Sequence, residues 1–146
     1  MPFVIDNAVV SGWYLENQTT RYTEAIAERW RDDRAVVPAL WKLELTNVLR
    51  PACLRQRMTA QKAQQVLVRM AMLPITVDRV GAPPHELLAL ALRFGFGNYD
   101  ADYLQLALPL QLPVATAEGA LKDAALASGV GWVGGGTLIA RSHPER

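Results

Sequence analysis

Residues 2–6 read Pro2-Phe3-Val4-Ile5-Asp6, a short aromatic and β-branched run that stops on an acid. Such a run favours an extended, buried strand. Comparable runs recur at Ala35 to Val37, Ile75 to Val77, Pro113 to Ala115 and Gly131 to Val133. Between them apolar residues fall at helical spacing, as in Tyr22, Ile26 and Trp30, or Val66, Met70 and Leu73. Strands alternating with helices predict an α/β fold, with a mainly parallel central sheet of about four to five strands flanked by helices on both faces. Asp6 then lies at the carboxyl edge of that sheet, where open α/β folds bind ligands.

The punctuation agrees. Thr59 is an N-cap candidate for a helix from Ala60 to about Met72, and Pro51 marks where the preceding helix should end or kink. A helical pair over residues 39–72 follows. Gly81, Pro83 and Pro84 form a loop before a helix over Glu86 to Leu92. Phe94 to Asn98 leads into another helix opening at Tyr99. No repeat or interdomain linker interrupts the 146 residues, so one domain is expected over 1–146, with 133–146 as a polar tail.

Composition narrows the function classes. Lys plus Arg number 15 and Asp plus Glu 14, so no global positive charge draws the chain to nucleic acid or to an anionic membrane. Cys53 is the single cysteine, which excludes an internal disulfide and a cysteine-rich zinc site. No stretch approaches the roughly 18 consecutive apolar residues of a membrane span, and the N-terminus lacks a secretory pattern, so a cytoplasmic protein without membrane contact is expected.

Four acids stand out. Asp6 ends the first strand. In ALWKLELTNVLR, residues 39–50, Glu44 shares helical spacing with Leu40, Leu43, Asn47 and Val48, which places a carboxylate in an apolar stripe. A buried carboxylate needs a cation or a proton, and Asn47 could orient it. In NYDADYLQLALPL, residues 98–110, Asp100 shares a face with Tyr103, Leu104, Ala107 and Leu108. Asp102 points roughly opposite and reads as a solvated first-turn charge. Glu118 follows the strand Pro113 to Ala115, again at the carboxyl edge. Thr116 beside it is a candidate hydrogen-bond partner for Asp6 or Glu118.

Gathered in one place, these carboxylates would raise one another's pKa unless divalent cations intervened. Oxygen ligands without clustered His or Cys favour magnesium or manganese, ions that organise phosphodiester hydrolysis.

The segments FVID, PALWKLELTNVL, NYDADYLQLAL and LPVATAEGALKDAALASGV, in this order, resemble the successive signature blocks of PIN-domain ribonuclease toxins of the VapC type. The likeness runs from about residue 2 to 133. It implies a Rossmann-like PIN domain and a magnesium- or manganese-dependent endoribonuclease acting on RNA. It also implies a homodimer inhibited by a cognate VapB-type antitoxin in a type II toxin–antitoxin module. By position Asp6, Glu44 and Asp100 match the family's core acids. Two departures matter: Glu118 stands where the family usually has aspartate, and Ala8 where a small hydroxyl residue is often found. The alternative is a PIN-like module that binds RNA or protein with weak or no nuclease activity.

Other features read as ordinary. Gly134 to Gly136 leads into the tail rather than a helix, so it is not a phosphate loop. His85 and His143 lack ligand spacing, and Arg55, Arg57, Lys62 and Arg69 suit a solvated rim that could touch phosphates. Trp13, Tyr14, Trp30 and Trp41 are expected in the core. A receiver domain would need an acidic pair after the first strand, and a haloacid-dehalogenase-like phosphatase a second aspartate at residue 8; Asn7 and Ala8 exclude both.

Overall fold

The computed structural model describes residues 1–13, 15, 19–134 and, by backbone alone, 138–139. The expectations for Tyr14, His143, Gly135 and Gly136 lie outside these residues. In chain order the elements are β1 (Phe3–Ile5), α1 (Asn7–Ser11), α2 (Arg21–Trp30), β2 (Ala35–Pro38), α3 (Trp41–Leu54) and α4 (Ala60–Ala71). There follow β3 (Ile75–Asp78), α5 (Pro84–Phe94), α6 (Asn98–Leu110), β4 (Val114–Ala115), α7 (Gly119–Ala127), β5 (Trp132–Val133) and β6 (Leu138–Ile139).

The sheet order is β3-β2-β1-β4-β5-β6, with the first five strands parallel and β6 antiparallel to β5. The expected α/β class is therefore found, in a Rossmann-like arrangement. The inner parallel strands are almost wholly apolar, as strands covered on both faces must be: Phe3, Val4 and Ile5 are fully buried, as are Val114 and Ala115, whereas the edge strand β3 carries Thr76 and Asp78 and is only partly buried. The order reverses direction at β1. The chain winds outward through β2 and β3, then returns to add β4 on the other side. Adjacent crossovers there leave in opposite directions and open a crevice at the carboxyl ends of β1 and β4.

Several expectations need correction. Residues beyond Val133 do not simply leave the fold, because Leu138 and Ile139 pair with Val133 and Trp132. An unpaired edge of β5 offers free backbone donors and acceptors, and an antiparallel return occupies them. Pro51 does not end α3, which runs to Leu54. It falls in the last turn, where the carbonyl it leaves without a partner belongs to Asn47, a residue exposed to water. The stripe that α3 buries is Trp41, Leu45, Leu49 and Ala52, rather than the face of Leu40 and Leu43. Leu43 is 62% exposed.

The boundaries of α2 and α4 follow from their caps. Thr20 and Thr23 form a reciprocal capping box at α2, and the Thr59 hydroxyl accepts from the Lys62 N–H at α4. Helix α5 ends at Gly95, whose φ of 72° is the left-handed conformation that glycine adopts without penalty. Trp30 joins Phe3 and Trp13 in an aromatic cluster, with centroids 6.5 Å and 4.7 Å away. No helix among the described residues is long and apolar enough to cross a membrane.

The short helix α1 was not foreseen, and it is held tightly. A Cβ added at Gly12, just after α1, would lie 2.5 Å from Thr23 Cγ2 and 2.8 Å from its Oγ1. Thr23 is itself 2% exposed and pinned in the α2 capping box, so it cannot yield. Gly12→Ala is expected to destabilise the protein by about 1–3 kcal/mol, read as a lower urea midpoint at unchanged slope. An unaltered midpoint would mean that α1 and α2 are free to separate.

Candidate functional site

The crevice at the β1–β4 junction is built outward from Asp6. The ladder between the two strands extends one residue past β1, with the Asp6 N–H donating to Ala115 O at 3.1 Å. Asp6 then leaves the strand as the N-cap of α1, and its Oδ1 accepts from the Val9 N–H at 3.1 Å. Its Oδ2 accepts from the hydroxyl of Thr116, the residue that follows β4. Asp6 is 4% exposed and Thr116 fully buried. The Thr116 hydroxyl also accepts from the Glu118 N–H at 3.0 Å. One threonine thus fixes both the carboxylate of β1 and the turn that carries Glu118.

That turn is braced from behind. The Thr116 N–H donates to the Tyr22 hydroxyl at 3.0 Å, and the hydroxyl donates to Val133 O at 2.6 Å. The indole of Trp132 donates to Thr116 O at 2.8 Å and stacks on Tyr22 with an interplanar angle of 7°. Lys122 covers the indole 4.0 Å from its ring centroid. Burial raises the pKa of the Tyr22 phenol, so it stays a neutral hydroxyl able to donate and accept at once.

Glu44 enters from the first turn of α3 and Asp100 from the first turn of α6. Glu44 Oε1 accepts from the Tyr103 hydroxyl at 2.5 Å. Tyr103 is 2% exposed, one turn along α6 from Asp100. The side-chain amide of Asn7 donates to the backbone carbonyl of Glu44 at 3.5 Å, linking α1 to α3. Asp6, Glu44, Asp100 and Glu118 all line one cavity of about 200 Å³, and Asn7 and Tyr103 complete much of its wall.

The electrostatics match that geometry. Burial pushes the Asp6 carboxyl from 3.8 up to about 7, opposed by the Thr116 and Val9 hydrogen bonds and reinforced by Glu118 and Asp100. Glu44 is raised by burial, lowered in part by the Tyr103 bond, and raised again by Asp100, Asp102 and Glu118. Asp100 is raised by burial and by Glu118. Acids from four separate elements therefore feel one another.

The other expected residues are placed differently. Asn47 is exposed and lies outside the cavity wall, because the buried face of α3 is rotated away from the stripe assumed for it. Asp102 does point away from the cavity, but it is half-buried rather than solvated. It faces a second hollow with Asp78 and Glu86, and burial and Asp78 raise its pKa. Helix α6 packs against β1, β2 and α5, so little of its circumference is open to water. His85 is exposed, as are Arg55, Arg57, Lys62 and Arg69, and Cys53 is half-buried.

Two contributors were not singled out from sequence as site residues. Tyr103 carried a legible signal, a hydroxyl on the same helical face as Asp100. Asn7 carried less, being a polar residue immediately after a strand-end acid. Among the described residues no three His, Cys, Asp or Glu side chains are gathered closely enough to hold a metal ion as they stand.

The chain matches no protein-family model and no curated protein. It is similar to a solved structure, the crystal structure of PAE2754 from Pyrobaculum aerophilum. The TM-score is 0.54 at 17% identity, over 85% of this chain and 84% of that one. At that identity the likeness speaks for the fold.

The raised Asp6 pKa makes stability depend on pH. Between its ordinary value of 3.8 and about 7 the folded chain holds a proton that the unfolded chain has released. The stabilisation is complete below the lower value and is lost as pH rises through the upper one. Asp6→Asn keeps the shape without the charge. In EDTA it is expected to raise the melting temperature at about pH 8.5, with a gain that shrinks toward about pH 5. Circular-dichroism melts across that range check it, and a pH-independent difference would contradict the burial of a titrating carboxyl.

Proposed function

We propose that this chain is a magnesium- or manganese-dependent endoribonuclease of the PIN-domain VapC type. The observation that carries the reading is the convergence of Asp6, Glu44, Asp100 and Glu118 on one cavity at the β1–β4 junction. Every one of these groups offers only hard carboxylate oxygens, the ligand type of magnesium and manganese. The pKa values of Asp6, Glu44 and Asp100 are raised first by burial and further by neighbouring acids, and a bound cation would favour their charged forms.

The donor set fits a divalent cation, with Asp6, Glu44, Asp100 and Glu118 as the groups that would hold it. Asp6 is fixed by Thr116 and Val9. Glu44 and Asp100 are half-buried and Glu118 exposed, so these side chains have room to rotate inward. Uncompensated carboxylates repel one another, and among the described residues no three of them stand as a tight triplet. A bound cation supplies activation of water and stabilisation of the departing oxygen in phosphodiester hydrolysis. The chain's own part is to orient the acids. Thr116 sets Asp6 and the Glu118 turn, and the Tyr103 hydroxyl presents Glu44 with one oxygen engaged and the other available.

The toxin role, the VapB-type antitoxin and a homodimer belong to the same proposal. Leu43, Leu54, Val68 and Met72 on and beside α3 and α4 are 61–79% exposed, apolar side chains that a protein partner would cover. A second reading, an RNA- or protein-binding module without cleavage, draws on the exposure of Glu118 and the spread of the acids.

Purified protein is expected to cut RNA internally when magnesium or manganese is present. EDTA should abolish cleavage, and Asp100→Asn should reduce it by at least about 100-fold. Gel mapping of cleavage products separates the readings: tight RNA binding with no internal cuts favours the binding module, and cleavage unaffected by either change removes the carboxylate mechanism.

A further inference from the structure

We infer that Asn7 belongs to the cation site as a neutral oxygen donor, an inference that rests on the metal-dependent reading above. Asn7 is 6% exposed and lines the same cavity as the four acids. Its amide nitrogen donates to the Glu44 carbonyl, while its Oδ1 is buried with no hydrogen-bond partner. Turning the amide round would set its oxygen toward the Glu44 carbonyl, acceptor against acceptor, so the orientation with the nitrogen on that carbonyl is the favoured one.

No hydrogen bond from a side chain of the cavity wall reaches this oxygen. The carboxylates of Asp6, Glu44, Asp100 and Glu118 are acceptors when ionised. The two wall hydroxyls give their protons elsewhere, Tyr103 to Glu44 and Ser11 to the Ala8 carbonyl. A buried amide oxygen left in this state is unfavourable. A hydrated divalent cation held by the acids would satisfy it, since the ion and the waters it carries attract oxygen acceptors. Asn7 also couples the site to α3, because the same amide that offers its oxygen holds the backbone of Glu44.

Manganese titration of the purified full chain, by calorimetry and by paramagnetic resonance of free ion, tests this without any RNA. Asn7→Leu and Asn7→Ala remove the oxygen and are expected to weaken manganese binding about 10-fold or more. Melts in EDTA establish that each variant is folded. Asn7→Asp lacks the amide N–H but keeps an oxygen, and is expected to bind at least as tightly as the parent. If Asn7→Asp is as weak as Asn7→Leu, the tether to Glu44 explains the effect and the inference falls. Unchanged affinity in Asn7→Leu and Asn7→Ala also overturns it. Failure of the metal reading looks different: the parent chain binds no manganese, or Asp100→Asn binds it as well as the parent.

Discussion

The hydrogen bond from the Thr116 hydroxyl to the Asp6 carboxylate is the interaction on which the site depends. It joins the ends of the two strands that meet where the sheet order reverses, and it does so inside the protein, where a carboxylate without partners is strongly disfavoured. Asp6 is tolerated there because Val9 and Thr116 each donate to one of its oxygens. Removing either donor would leave one buried oxygen of the acid without a partner. The remainder of the site follows from this anchor: α1 starts on Asp6, the Glu118 turn hangs on Thr116, and Tyr22 and Trp132 hold the Thr116 backbone in place.

A second constraint acts across the cavity. Tyr103 is among the largest fully buried side chains, yet it brings a hydroxyl to the wall and donates it to Glu44. Burial raises the phenol pKa, as does Glu44 itself, so the proton stays on the tyrosine. The apolar core thus reaches the cavity through one side chain that packs as a hydrophobe and ends as a donor. Asn7 plays the matching part from α1, with its donor spent on α3 and its acceptor unspent. Acids, one phenol and one amide together make a wall in which acceptors outnumber donors, the composition that a cation balances.

The fold was legible at the level of elements. Phe3–Ile5, Ala35–Pro38, Ile75–Asp78, Val114–Ala115 and Trp132–Val133 fall within a residue or two of the expected strands, because buried parallel strands are short apolar, β-branched runs and even the partly buried edge strand β3 keeps Ile75 and Val77. What misled was the apolar face assumed for α3, whereas the face read for α6 did separate Asp100 from Asp102. The Glu44 stripe was assigned to Leu40, Leu43 and Asn47, whereas α3 buries Trp41, Leu45 and Leu49. A helix with apolar residues on several sides does not reveal which side its neighbours cover. Pro51 misled for a related reason. A proline in the last turn costs little when the carbonyl it abandons is open to water.

By itself the sequence determined the α/β class and the identity of the acids, since strand period, strand-end position and residue chemistry are local properties. Only the tertiary structure decided that four acids share one cavity, that Asp102 turns to another hollow with Asp78, and that Leu138 and Ile139 close the sheet edge. It also decided that Asn7 keeps a buried oxygen without a partner. The physical reason is distance along the chain. Asp6 meets Thr116 across 110 residues and Glu44 meets Tyr103 across 59, and such meetings depend on strand order and helix packing that no local pattern encodes.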